Sequence, residues 1–502
     1  MIVAAALAMA VAACHRPGPR LPRREIRLHL EAEPAHLNPL LSGDALSVKV
    51  TLGDVYEPLV TFSREGHVIP ILAETWQRTD GDREWTFSLR KGVTWHDGAP
   101  LVVADVLFTF ALLAPDKAPT PLSADFDDIE SVEPLGSRGV RVRFRGFRVG
   151  RDRTLARVPI LPAHVFRAAP AEALASHPQS RAPVGTGPFQ LEGQVPGREI
   201  RLRRFSRYWG PAPRVDHVIY RIIPDRTQAV AQLEAGLIDM VAQVPAGEAE
   251  ELARGGKLAL LAYDAPTFLA VTWNCRKGPL ADARARRALT QLLDRETIVR
   301  EIFQGRARVQ SGPWAPSDPS NDTRIAPWPH DPTAARKLLE EAGALPLSVR
   351  ILYPQSSVKV ERLATIWQED ARQVGVILIL EPAPFDVVVK RAQAGDFDGV
   401  ALSWLAEHEQ DFFHKLHSSV VGEGNDAGIR DAEMDRLLEA VRTTPDPNAR
   451  SHLARKLHAR LHELQPMTIV VGDMRTALVS RRLRGVTPDG IFLPARHMFL
   501  SE

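Results

Sequence analysis

The residues best equipped for chemistry crowd into one stretch, SWLAEHEQDFFHKLH, which holds Trp404, Glu407, His408, Asp411, His414 and His417. Imidazole and carboxylate are suitable donors for a metal ion or a metal chelate. His414 and His417 sit at helical spacing in an amphipathic segment, however, and that pattern fits a hydrated helix face better than a metal centre. His458 and His462 are also one helical turn apart, but HARLH lacks the Glu that follows the first His of a zincin, so both are expected at the surface. Ser356 and Lys359 spell S-x-x-K, the nucleophile pattern of penicillin-binding enzymes. Its companions S-D-N and K-T-G are absent, as are a G-x-S-x-G elbow, a Walker A loop and a paired Cys motif. A surface hydrolase using Ser356 and Lys359 is therefore the weaker reading, and binding without catalysis, with no cofactor and no metal site, is the expectation.

The elements that position these residues follow from periodicity. SVRILYP reads as a strand, and VERLATIWQEDARQVG as a helix with Val360, Leu363, Ala364, Trp367 and Val374 on one face and Gly375 as its cap. VILILEP, FDVVVKRAQAG and DFDGVALSW then continue as strand, helix and strand. That β-α-β-α-β order implies a parallel sheet, whose ligands bind beyond the carboxyl ends of the strands. The segment after Trp404 is therefore the place to look for a site, although taken alone Trp404 reads as a core aromatic and Glu407 as a loop acid. HDPTAARKLLEEAG is a helix with Asp331 as N-cap, Pro332 in the first turn and Gly343 as terminator. Earlier in the chain, REWTFSLR alternates Trp85, Phe87 and Leu89 with polar residues, as a half-buried strand does, and Asp97-Gly98 suits a tight turn. The basic run RVRFRGFR at 141–148 reads as a solvated strand edge.

Size and charge set the outer limits. A chain of 502 residues with 44% hydrophobic content calls for two or three lobes. With 63 basic against 61 acidic side chains it has no bias toward nucleic acid or anionic membrane. The opening MIVAAALAMAVAAC is a short apolar run ending in Cys14, followed by a proline-rich linker. It is expected to be a secretion signal (1–14) whose VAAC resembles a lipobox, with Cys14 the lipidated first mature residue and 15–23 a tether. Because no Lys or Arg precedes the apolar run, the true start is expected upstream. Cys275, within AVTWNC, then has no disulfide partner and reads as a small core residue.

Several spaced segments together resemble the large extracellular solute-binding proteins of peptide and nickel ABC importers, family 5. They are LNPLL at 37–41, VYEPLVTF at 55–62, PILAETW at 70–76, WTFSLRKGVTWHDGAPLVVADVLFTF at 85–110, VGTGPFQL at 184–191 and WNCRKGPLADARARRALTQLLDRETIVREIF at 273–303. The resemblance implies an α/β fold of the periplasmic-binding-protein type (class II, cluster C), with two hinged α/β lobes and an inserted β-rich lobe. Lobe I would combine 24–58, 184–263 and 476–502, lobe II would be 59–183, and lobe III would be 264–475. Two connecting strands would form the hinge.

It further implies a binding lipoprotein, monomeric and held at the periplasmic or outer surface of a membrane, that hands oligopeptide, dipeptide or a related solute to a permease powered by a separate ATPase chain. In peptide-binding members a carboxylate just after a strand-terminal Trp pairs with the ligand's α-amino group. Trp404 and Glu407 match that place, with Glu for the usual Asp and without the proline that normally follows near Asp411. Trp273 and Asn274 resemble a strand end that orders the hinge or cleft, and His408 lies beside Glu407 as a further candidate contact. The same fold with a metal chelate or an oligosaccharide as ligand is the alternative.

Overall fold

The computed structural model describes residues 24–501 apart from 42–44, 63–66, 80, 115–116, 119, 316–317, 356, 406–410 and 489–492. Its spine is a single eleven-stranded sheet. The strands run in the order Val376–Ala383, Leu347–Pro354, Gly399–Leu405, Leu258–Trp273, Met467–Ser480, Met240–Ala242, Glu25–Leu30, His217–Ile222, Glu199–Arg204 and Phe189–Val195, with Ala307–Arg308 also paired to Met467–Ser480.

Two strands are much longer than the rest, and they pair antiparallel with each other. Leu258–Asp264 lies against Ser480–Met474, the register then shifts between Asp264 and Thr267, and Thr267–Thr272 continues against Asp473–Met467. The apolar cores divide at that shift. One set of clusters draws its buried residues from 26–263 and 477–498. The other draws them from 268–471, and among the described residues no cluster mixes the two sets. The molecule is thus two packed bodies threaded by one pair of strands.

In the first body the inserted stretch forms a four-stranded antiparallel sheet in the order Ala73–Thr79, Glu84–Leu89, Gly139–Phe144, Ile129–Leu135. Glu84–Leu89 alternates as its sequence predicts, burying Trp85, Phe87 and Leu89, and Trp85 stacks on Trp76 at 5.3 Å. Each such side chain contributes about 2–3 kcal/mol on leaving water. This sheet has no core of its own, since its inward residues share one cluster with Ile26, Leu28, Tyr220 and the C-terminal Met498. The basic run is not a strand edge. Gly139–Phe144 is an interior strand, with Val140, Val142 and Phe144 inward and Arg143 pairing outward with Glu84 at 2.8 Å. Cross-strand carboxylates, not water alone, cover its charged face.

The second body holds the β-α-β-α-β unit. Leu347–Pro354 runs parallel to both Val376–Ala383 and Gly399–Leu405. The helix Val358–Gln373 buries Val360, Leu363, Ala364 and Trp367, and the Trp367 indole N–H donates to the Leu289 carbonyl at 3.2 Å. Asp331 caps the helix Pro332–Glu341 by accepting from the Ala334 N–H at 2.9 Å, and Gly343 and Gly375 take the left-handed backbone expected past helix ends.

Candidate ligand-binding site

Three of the most recognisable sequence segments meet at one place in the first body. Gly185 and Gly187 run so close to the backbone of Asp54 and Val55 that a Cβ on Gly185 would fall 1.8 Å from the Val55 carbonyl oxygen. Thr186, between them, donates to Glu57 at 2.9 Å, and Tyr208 and Trp209 donate to the same carboxylate at 2.8 and 2.9 Å. Burial pushes the Glu57 carboxyl up to about 7 despite these three donors. His96 closes the node: its Nδ1 accepts from the Gly185 N–H at 3.1 Å, which leaves the proton on Nε2 to donate to the Gly187 carbonyl at 3.0 Å. Burial pulls His96 down to about 4, so the ring is neutral at physiological pH. Every polar group named here is committed within the protein, which makes the node a structural joint.

The end of Gly399–Leu405 differs. Trp404 faces Phe268 across the antiparallel pair, and its half-buried ring packs against the cluster that contains Phe268, Phe412 and Leu416. The Lys415 ammonium lies 5.2 Å from the ring centroid. The Trp404 indole N–H is buried and has no partner among the described residues. An orphan donor of this kind costs about 1–3 kcal/mol unless something accepts from it. Glu407 and His408 fall outside the described residues, as does Cys14.

Trp273 and Asn274 serve the frame. Trp273 is 0% exposed, meets Trp367 edge-on at 5.8 Å and donates its indole N–H to Thr468 Oγ1 at 2.9 Å, so in this arrangement it shows a ligand no surface. Asn274 donates to the carbonyls of Gly395 and Phe397, both at 3.0 Å, while its own N–H donates to the Asp398 carbonyl at 2.9 Å. These bonds fix the turn that launches Gly399–Leu405, so Asn274 acts on Trp404 through the strand start.

The histidines are not a hydrated face. His417 is buried, stacked on Phe413 at 4.1 Å, with its Nδ1 accepting from the Ser419 N–H. His414 accepts from Arg442, and burial together with that guanidinium holds its imidazole below the ordinary range. Asp411 accepts from the Phe413 N–H at 2.9 Å and pairs with Arg442 at 3.2 Å. Among the described residues no three His, Cys, Asp or Glu side chains converge as metal ligands.

His458 also departs from the surface position expected of it. It is 0% exposed, accepts at Nδ1 from the Asp322 N–H at 3.0 Å and donates from Nε2 to Ser311 Oγ at 3.1 Å. That tautomer points a proton at the serine and cannot remove one. His462 is half-buried, its ring stacked flat on Trp328 at 4.7 Å. Ser356 lies outside the described residues, and Lys359 stands with its ammonium 4.6 Å over Phe303.

Sequence reading missed the buried Arg286. Its guanidinium donates to the carbonyls of Leu280, Ala281, Leu464 and Gln465 and so closes the carboxyl end of the helix Pro447–Leu464. Its one visible signal was an arginine on the apolar side of ARARRALTQLL.

Comparison with known proteins places this geometry. The oligopeptide-binding protein AppA of Bacillus subtilis (strain 168) is 26% identical over 87% of this chain and 84% of its own. Its structure with a nonapeptide superposes with a TM-score of 0.86 at 24% identity, over 95% of this chain and 99% of that one. The dipeptide-binding protein of Escherichia coli (strain K12) is 25% identical over 91% of each chain. NikZ of Campylobacter jejuni, solved with Ni(L-His), shares the fold at a TM-score of 0.83 and 21% identity, over 95% and 100% of the two chains. The model for bacterial extracellular solute-binding proteins, family 5 Middle, matches residues 67–419, and with that match spanning most of the chain the protein belongs to this family.

Proposed function

We propose that this protein encloses a peptide between its two bodies and passes it, chemically unaltered, to the permease of an ABC importer whose ATPase is another chain. The observation that carries the reading is the division of the apolar cores at the Asp264–Thr267 register shift, across which both long strands stay continuous. A register shift leaves the ladder locally disrupted, so bending there costs less than parting a packed core. Residues 24–58, 184–263 and 476–502 act as lobe I, 59–183 as lobe II and 264–475 as lobe III. The relatives named for oligopeptides and dipeptides supply the solute class.

Within the cleft, the orphan indole N–H of Trp404 marks the ligand-facing end of the second body's sheet. Glu407, just beyond it, takes the ligand's α-amino group. Closure excludes water, and a carboxylate opposite an ammonium then becomes a strong orienting pair. Cys14 carries the lipid that keeps the monomer at the periplasmic or outer surface of the membrane.

Calorimetry with a free-amine tripeptide and its N-acetylated form tests the site. Glu407→Gln is expected to weaken the free-amine peptide about 30- to 100-fold while changing the acetylated one little. Equal losses for both would remove Glu407 from the role. Saturable binding of a nickel–histidine chelate with no binding of any peptide would replace the solute class.

A further inference from the structure

Away from the two long strands, the bodies touch through polar groups. The Val149 N–H, in the turn before the helix Arg151–Ala156 of the first body, donates to the Arg442 carbonyl of the second at 2.9 Å. Each side is built to hold that contact. In the first body Arg148 Nη2 grips Asp127 at 2.5 Å, and Arg151, 3% exposed, makes a two-point pair with Asp128 at 2.8 and 2.5 Å while lying 3.6 Å over Phe144. In the second, Arg442 closes the helix Ala432–Thr443, pairs with Asp411, donates to His414 and lies 4.3 Å over Phe413.

Charges also act across the seam. Arg442 meets the like charge of Arg148 and the carboxylates of Asp127 and Asp128, and Asp125 meets His414 and the like charge of Asp411. Arg450, next along the second body, feels Asp152 and Asp82. Among the described residues no apolar cluster bridges the bodies at this seam. A contact made of one backbone hydrogen bond and a charged rim can exchange its partners for water on opening, which a shared core cannot do cheaply.

We propose that Val149 and Arg442, with the arginine–aspartate pairs that hold them, form a latch that favours the arrangement in which the two bodies meet at this seam, whether or not a ligand is present. The latch rests on the hinged reading above and adds a term to it. Ligand affinity is scaled by the fraction of molecules in the binding-competent form, so a latch shifts affinity by one common factor for every ligand. Arg442 stands in the chain segment group that follows Trp404 through Asp411 and His414, yet it acts through closure and not through ligand chemistry.

The test uses two variants, one on each side. Val149→Pro deletes the donor without changing charge, and Arg442→Gln deletes the guanidinium. Solution scattering of the unliganded proteins reads closure directly, and calorimetry with the dipeptide Met-Leu, the tetrapeptide Ser-Thr-Ser-Ala and a nonapeptide reads affinity. Both variants are expected to enlarge the unliganded radius of gyration and to weaken each peptide that binds by the same factor, about five- to tenfold. Unchanged scattering in both variants, or losses confined to one peptide, would overturn the latch. If Arg442→Gln does not fold, Val149→Pro decides alone. If wild type binds none of the peptides while the scattering shift is present, the latch stands and the assigned solute class fails.

Discussion

The joint around Glu57 and the sheet end at Trp404 are both built from buried polar and aromatic groups, and they are finished differently. At Glu57 three donors meet one carboxylate, and His96 pins the glycine loop with both ring nitrogens. At Trp404 a buried N–H has no acceptor among the described residues, beside a lysine lying over the ring. The first region is complete without a guest, whereas in the proposed reading the second offers its hydrogen bond to one. Segments that identify the family most readily are thus those that hold the frame, and the group left open sits where the sequence departs from the family pattern.

Four measurements break or sharpen that contrast. Gly185→Ala should do the most damage, because its Cβ meets the Val55 carbonyl and not a movable side chain. A loss of about 3 kcal/mol or more in urea unfolding is expected, and a loss below about 1 kcal/mol would show that the joint yields.

Next comes the pH response. Glu57 titrates higher in the folded protein than in the unfolded chain, so its contribution is greatest at low pH and is lost as pH rises from about 4.5 to about 7. His96 titrates lower when folded, so its contribution is lost as pH falls from about 6.5 to about 4. The two slopes oppose each other between about 4.5 and 6.5. Glu57→Gln should therefore steepen the rise of stability with pH across that window by up to about 2–3 kcal/mol relative to wild type. A slope unchanged from wild type would mean that Glu57 does not titrate as its burial requires.

Asn274→Ala strands two buried carbonyls and should cost about 1–2 kcal/mol in unfolding, with a smaller loss of affinity through the displaced start of Gly399–Leu405. Trp404→Phe removes a donor from which no described residue accepts, so it should hold or raise stability in unfolding, yet weaken peptide binding about tenfold in calorimetry. If stability falls and affinity does not, Trp404 belongs with the frame.

Much of this was legible in the sequence because it depends on local period. The alternation of Trp85, Phe87 and Leu89, the Asp331 cap and the strand–helix order from 347 to 405 each carry their signal within a few residues. The burial of His458 was not legible, since its partners Ser311 and Asp322 arrive from a distant loop while its own helix looks amphipathic. Trp273 reads the same whether it lines a cleft or packs on Trp367, a difference that only the opposing helix decides. The long strands escaped for another reason. Their two halves face different bodies, so MTIVV shows an apolar run while the continuation to Ser480 does not extend it. The open end was the least legible, because an unpaired N–H is a property of surroundings and not of a residue type.

The strand Met467–Ser480 has a consequence for how the molecule is made. Its first half pairs with Thr267–Thr272 and its second with Leu258–Asp264 and Met240–Ala242, so one late stretch of chain completes both bodies. During synthesis neither body can finish until that stretch emerges. A product cut short before Met467 would present raw strand edges on both sides, a form that proteases and chaperones recognise readily. Maturation is thereby tied to full length, and a nearly complete chain gains nothing over one stopped far earlier.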